Sequence, residues 1–92
     1  MDFEWDPDKA EANRRKHSVD FADAVGVFAD AFALTQEDPH PSEDRFVPLG
    51  RDFLDRLVLV SWLWRGKNIR LISARTATPR ERRQYTEGLD DA

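Results

Sequence analysis

Arg56-Leu57-Val58-Leu59-Val60-Ser61-Trp62-Leu63-Trp64 is the stretch that decides the fold. Its apolar residues run almost without alternation, the pattern of a central strand buried on both faces. Arg65-Gly66-Lys67 follows as a hairpin connection, since Gly66 takes positive φ at no steric cost. Asn68–Ala74 then reads as the antiparallel return strand. Arg45–Leu49 reads as the strand before, joined through Gly50 to Asp55. Three consecutive antiparallel strands are the economical topology.

Working outward from this hairpin, Phe3 and Trp5 alternate with Asp2 and Glu4, which predicts a short opening strand. Asp6 is placed to cap a helix with Pro7 at its first position, where a missing N–H costs nothing. That helix runs from Pro7 to about His17. Its only apolar residues are alanines, so it is expected on the surface, with Lys9, Asn13 and Lys16 on neighbouring faces. Asp20 can cap a second helix from Phe21 to about Phe28, in which Phe21, Ala24, Val25 and Phe28 make a core-facing stripe. Ala31–Gln36 reads as extended, and Asp38-Pro39-His40-Pro41-Ser42 as a loop. Thr78-Pro79-Arg80-Glu81 opens the last helix with a capping box, and the helix is expected to stop near Gly88. The prediction is one α+β domain over residues 1–92. It has a small antiparallel sheet, a meander of about three strands plus a short N-terminal strand, with two N-terminal helices and one C-terminal helix.

Composition narrows the function. The chain has 92 residues and no cysteine, which excludes a disulfide framework and a thiolate metal site and fits a reducing compartment. No apolar run approaches the ~18–20 residues of a membrane span, and Met1-Asp2-Phe3-Glu4 lacks a basic leader, so no membrane partner and a cytoplasmic location are expected. The net charge of -4 hides an asymmetry. Residues 1–44 carry four bases against twelve acids, whereas residues 45–83 carry ten bases, nine of them Arg, against three acids. Arg presents a planar, permanently charged fork suited to phosphate. The second half therefore reads either as an anion-binding surface or as a basic sheet that pairs with the acidic helices. An acidic protein is poorly suited to gripping long duplex nucleic acid by charge alone.

Chemistry-bearing motifs are few. The glycines never form a phosphate-cradling loop, His17 and His40 have no metal-ligand spacing, and no nucleophile elbow surrounds a serine. No metal or other cofactor is expected. Arg70, Arg75, Arg80, Arg82 and Arg83 lie within fourteen residues. Strict alternation puts Arg70 on one strand face with Ile72 and Ala74, and Arg75 on the other with Ser73, so the two arginines share a site only if the strand twists or bulges. Arg80 and Arg83, at i and i+3, can bracket one phosphate, and Arg80 sits in the first helical turn, where N–H groups favour an anion. Each arginine also reads as a solvated side chain or a weak surface pair. His17 is either a general acid or base, or a helix C-terminal cation. Glu81 is occupied as a cap, and Tyr85 either stacks on a base or packs on the sheet. Trp62 and Trp64 share a strand face as core or a partner-facing patch.

Phe3-Glu4-Trp5-Asp6-Pro7, then Lys9, Asn13, Lys16-His17, Phe21 and Ala24, resemble the N-terminal signature of the BrnT toxins of bacterial type II toxin–antitoxin systems. So do Glu43 and Arg45 ahead of Gly50, the stretch Ile69–Ala77, and Arg80-Glu81-Arg82-Arg83 with Tyr85. The resemblance covers nearly the whole chain in order. Ser18 stands where the family usually has Gly, so the turn between the helices is expected to differ slightly. The resemblance implies a RelE-like fold and a metal-independent endoribonuclease that cuts RNA and arrests growth. It also implies a cognate antitoxin, BrnA, with a ribbon-helix-helix DNA-binding part, which neutralises the toxin and carries the complex to operator DNA for autoregulation. Mapped onto this chain, His17, Arg75 and Arg80 are the expected catalytic residues, and Lys9, Lys16, Arg45, Arg70, Arg83 and Tyr85 the expected RNA contacts. The rival reading is a non-catalytic interaction or co-repressor module that binds an acidic partner or DNA.

Overall fold

The computed structural model describes residues 2–36 and 45–90, so the predicted loop at 38–42, His40 and Glu43 lie outside the described residues. The elements are β1 (Phe3–Glu4), α1 (Pro7–His17), α2 (Phe21–Ala24) continued by a 3-10 segment (Val25–Ala29), β2 (Leu34–Gln36), β3 (Arg45–Arg51), β4 (Leu57–Arg65), β5 (Asn68–Thr76) and α3 (Pro79–Asp90). They form one five-stranded sheet in the order β1-β5-β4-β3-β2.

The α+β class and the central meander are as expected, but the sheet is larger and mixed. Ala31–Gln36 contributes β2, antiparallel to β3 with Leu34 opposite Leu49. β1 runs parallel to β5, with Phe3 opposite Ile69 and Glu4 opposite Arg70. Parallel neighbours need a long crossover, and the intervening helices and strands supply it.

Period-two alternation along β4 explains its unbroken apolar run. Val58 and Val60 point to a core shared with Ile69, Leu71 and Ala74 of β5 and with Val19, Phe21, Ala24 and Val27 from the N-terminal helices. Leu57 and Leu59 point the other way, where Leu49, Ala77 and Tyr85 close a second core under α3. Burial on both faces holds only for this first half of β4. From Ser61 onward the α3 side is half-open, with Ser61 and Leu63 partly exposed. That opening is where a site can form.

Local chemistry accounts for the helices. Asp6 caps α1 by accepting from the Asp8 and Lys9 amides at 2.8 and 3.4 Å. Ser18 ends it in the left-handed conformation at φ 57°, its N–H donating to the Arg14 carbonyl at 2.9 Å. A left-handed φ favours Gly, and here Ser adopts it. The second helix is α-helical for one turn only. The Asp23 carbonyl, which an α-helix would offer to the Val27 N–H, accepts the Phe53 N–H at 3.0 Å instead, and the chain tightens into 3-10. The Asp20 side chain makes no cap bond. Thr78 and Glu81 exchange the predicted capping-box bonds at 2.8 and 3.2 Å. α3 runs through Gly88, which lies against Leu34, and ends later than predicted.

Candidate nucleic-acid interface

β5 does not alternate strictly. Ser61 faces Ser73 and Trp62 faces Leu71, so Ile72 is an extra, bulged residue. Its consequence reads off the register. Arg70 lies opposite Leu63 and Arg75 opposite Leu59, four residues apart on β4, so both arginines occupy one face. Arg45 also lies opposite Leu63 and joins the same face. The face is the half-open one beside α3, and Ser61 and Ser73 lie on it between the arginines.

Carboxylates hold two of these arginines. Arg70 donates through Nη1 to Glu4 at 3.0 Å, across the β1–β5 pairing. Arg75 donates through Nη1 and Nη2 to the two oxygens of Glu81 at 2.8 and 3.0 Å. Those bonds, together with the Thr78 amide, hold the Glu81 carboxyl down to about 2 against the cost of its burial. In return Glu81 raises Arg75 above its ordinary value. The sequence marks Glu81 only as a helix cap; the fold also makes it the partner of Arg75.

Ser73 also borders a second feature. Together with Ile72 it lines a cleft of about 250 Å³ whose other wall is α1: Lys9, Ala12, Asn13, Lys16 and His17. The wall is seated by Asn13, 7% exposed despite the expectation of a surface helix. Its Nδ2 donates to the Ala74 carbonyl at 2.8 Å and the Val19 carbonyl at 3.0 Å, and its Oδ1 accepts from the Ala74 amide at 3.0 Å. β1 pairs with β5 only at its start, so the Asn13 carboxamide stands in for a neighbouring strand further along. His17 is both the last residue of α1, where the helix dipole favours a cation, and part of the cleft wall.

The fold thus brings together Lys9, Lys16 and His17 on the cleft, and Arg45, Arg70 and Arg75 on the adjoining face. The others stand apart. Arg80 is exposed in the first turn of α3. Arg83 lines a shallow hollow with Arg82, Thr86 and Glu87 on the outer side of α3, away from Arg75. Tyr85 is a correction to the set of RNA contacts. It is 4% exposed, donates its hydroxyl to Asp30 at 2.8 Å and lies under the Arg51 guanidinium, so its ring is not free to stack on a base. Burial, and then the bond to Asp30, raise its phenol above the ordinary value. Of the tryptophans, Trp62 packs between Phe28 and Phe46, and Trp64 is exposed. Alternation alone does not single out Ser73, because its position depends on the bulge. Among the described residues no group of His, Cys, Asp and Glu is placed to hold a metal ion, and no helix is long and apolar enough to cross a membrane.

The two-core α+β domain thus sets an arginine-bearing sheet face beside a Lys- and His-lined cleft, an arrangement that offers hydrogen-bond donors and positive charge locally although the net charge is negative. The comparisons agree with that class and sharpen it. The chain belongs to the BrnT family, described as the ribonuclease toxin of type II toxin–antitoxin systems, whose family model matches residues 5–81. It is similar to the ribonuclease toxin BrnT of Brucella abortus, solved as a 1.1 Å crystal structure, with 26% identity and a TM-score of 0.68 over 85% of this chain and 97% of that one. No curated protein sequence matches it significantly. Membership makes this a ribonuclease-toxin family chain with an RNA substrate and a protein antitoxin as its expected partners.

Proposed function

We propose that this chain is a metal-independent endoribonuclease that binds RNA across the open sheet face and the α1–β5 cleft. The observation that carries the reading is the Ile72 bulge, which turns Arg70 and Arg75 onto one face with Ser73 linking it to the cleft of His17. Cleavage without a metal requires the 2′-hydroxyl to attack in line, the phosphorane charge to be met by donors, and the 5′-oxygen to take a proton. Arg75 supplies the donors on the sheet face, the largest contribution in such sites, and Arg80, exposed at the start of α3 one residue from the Arg75 partner Glu81, adds its charge from the solvent side. His17, on the cleft wall, moves a proton as general acid or base. Lys9, Lys16, Arg45 and Arg70 hold the RNA backbone near the scissile bond, and Arg83 contacts it further along, over α3. The cationic elements are local, which suits single-stranded RNA and is compatible with an acidic whole.

On the same reading the activity arrests growth in a RelE-like manner in the cytoplasm. A BrnA-like antitoxin neutralises it and brings the complex to operator DNA through a ribbon-helix-helix part. The test is cleavage of a labelled RNA in EDTA by the purified protein beside Arg75→Ala. The parent should cleave, and the variant should keep its fold by circular dichroism but lose about 10²–10³-fold in rate. Equal rates would move the site elsewhere. Loss of parental cleavage in EDTA would refute metal independence. Stable binding of the antitoxin with no RNA turnover at any concentration would favour the interaction-module reading.

A further inference from the structure

Arginine carries five N–H donors in a rigid plane, grouped into an end-on edge and side-on edges. In Arg75 the end-on edge, Nη1 and Nη2, is taken by Glu81, and Nη1 also reaches the Thr76 carbonyl at 3.4 Å. Among the described residues Nε has no hydrogen-bond partner, which leaves the Nε–H with the outer Nη2–H as an unused fork. The Arg75 side chain is 38% exposed and that of Glu81 16%, so the carboxylate is the buried partner and the guanidinium the accessible one. Glu81 is itself immobilised, because its Oε1 accepts from the Thr78 amide at 2.8 Å while its own N–H donates to Thr78 Oγ1 at 3.2 Å. A continuous set of bonds thus runs from the start of α3 through Glu81 to Arg75.

We infer that Glu81 is a positioning residue of the ribonuclease site, which fixes the guanidinium of Arg75 so that its Nε–Nη2 edge receives a phosphodiester of RNA. The inference rests on the sheet face being the RNA site. An unpaired Arg75 would spread over many rotamers, and misplacing a catalytic donor by ~1 Å costs about 10²-fold in rate. The pair is also close to electrically neutral, so Arg75 acts as an aimed donor more than as a free charge. Removing the carboxylate makes the face more positive while loosening the donor. Binding and chemistry therefore move in opposite directions, which a merely structural role would not produce.

The test compares Glu81→Gln and Thr78→Ala with the parent. Gln preserves the helix-cap acceptor but not the charge. Glu81→Gln should lower kcat by about 10–100-fold with KM equal to or below the parent's. Thr78→Ala removes the Oγ1 acceptor but keeps the backbone amide on Glu81 Oε1, so it should lower the melting temperature while lowering kcat far less than Glu81→Gln does. A second readout needs no turnover: the Nε–Hε NMR resonance of Arg75, followed on adding a 2′-O-methyl oligoribonucleotide. It should shift in the parent and in Thr78→Ala, and broaden or disappear in Glu81→Gln. Parental kcat in a folded Glu81→Gln, or an Arg75 resonance unmoved at saturating oligonucleotide, would overturn the inference. A parent that cleaves no RNA yet shows the shift would end the nuclease reading and still support the positioning of Arg75.

Discussion

Asn13→Ala should be among the most damaging single substitutions in α1, although the helix lies at the surface. The side chain makes three hydrogen bonds, all to backbone atoms, at 2.8–3.0 Å: two with Ala74 and one with the Val19 carbonyl. Truncation leaves the Ala74 amide and two carbonyls in a buried seam without partners. Each bond contributes about 1 kcal/mol net, and stranding its partner raises that figure, so the expected loss is about 3 kcal/mol. A domain of this size has only ~5–14 kcal/mol in total. The melting temperature should therefore fall by roughly 15 °C, read by circular dichroism, with a matching drop in the urea midpoint. Asn13→Asp is the sharper control. It keeps the acceptor for the Ala74 amide but turns a carboxylate toward two carbonyl oxygens, so it should cost at least as much. A loss under about 1 kcal/mol for Asn13→Ala, or an Asn13→Asp variant as stable as the parent, would refute the claim that this carboxamide replaces a strand. Because the same seam sets the α1–β5 cleft, both variants should also cleave RNA poorly at temperatures where they remain folded.

The remaining expectations concern the ends of two helices. Ser18→Gly relieves a left-handed residue at φ 57° and should stabilise by about 0.5–1 kcal/mol, a rise of a few degrees in melting temperature; a fall would show that the Ser18 side chain contributes something beyond the turn. Arg75 holds Glu81 at about 2, below its ordinary 4.5, so this carboxylate stabilises the fold above about pH 4.5 and the contribution drains away as pH falls toward 2. Allowing for the partial exposure of Arg75, the parent should lose ~2 kcal/mol more than Glu81→Gln across that window. Parallel stability–pH profiles for the two proteins would contradict the pairing.

Much of the architecture was readable because it depends on neighbours in the chain. Asp6-Pro7 and Thr78–Glu81 start helices through bonds made within four residues, and Gly66 turns the hairpin at φ 61° through its own backbone freedom. The Phe21-to-Phe28 stripe was correct as a buried face and wrong as one α-helix, since a tertiary bond from Phe53 intervened. Gly88 reads as a stop signal, yet the helix passes through it over Leu34, where packing outweighs a propensity cost of ~1 kcal/mol.

The sequence by itself determined the central hairpin, the caps, the two helical ends and the arginine-rich second half, and its motifs pointed to the BrnT family. Tertiary structure alone decided which arginines meet. One bulged residue at Ile72 reverses the alternation and moves Arg75 to the face of Arg70, and a local pattern with period two has no means of signalling it. The parallel pairing of β1, the use of Asn13 as a strand surrogate, the burial of Tyr85 on Asp30 and the fork of Glu81 on Arg75 likewise join residues distant in sequence or separated by a turn of backbone. Such contacts form only when the sheet and helices have already set the distances, so they follow from packing rather than from the propensities of the residues that make them.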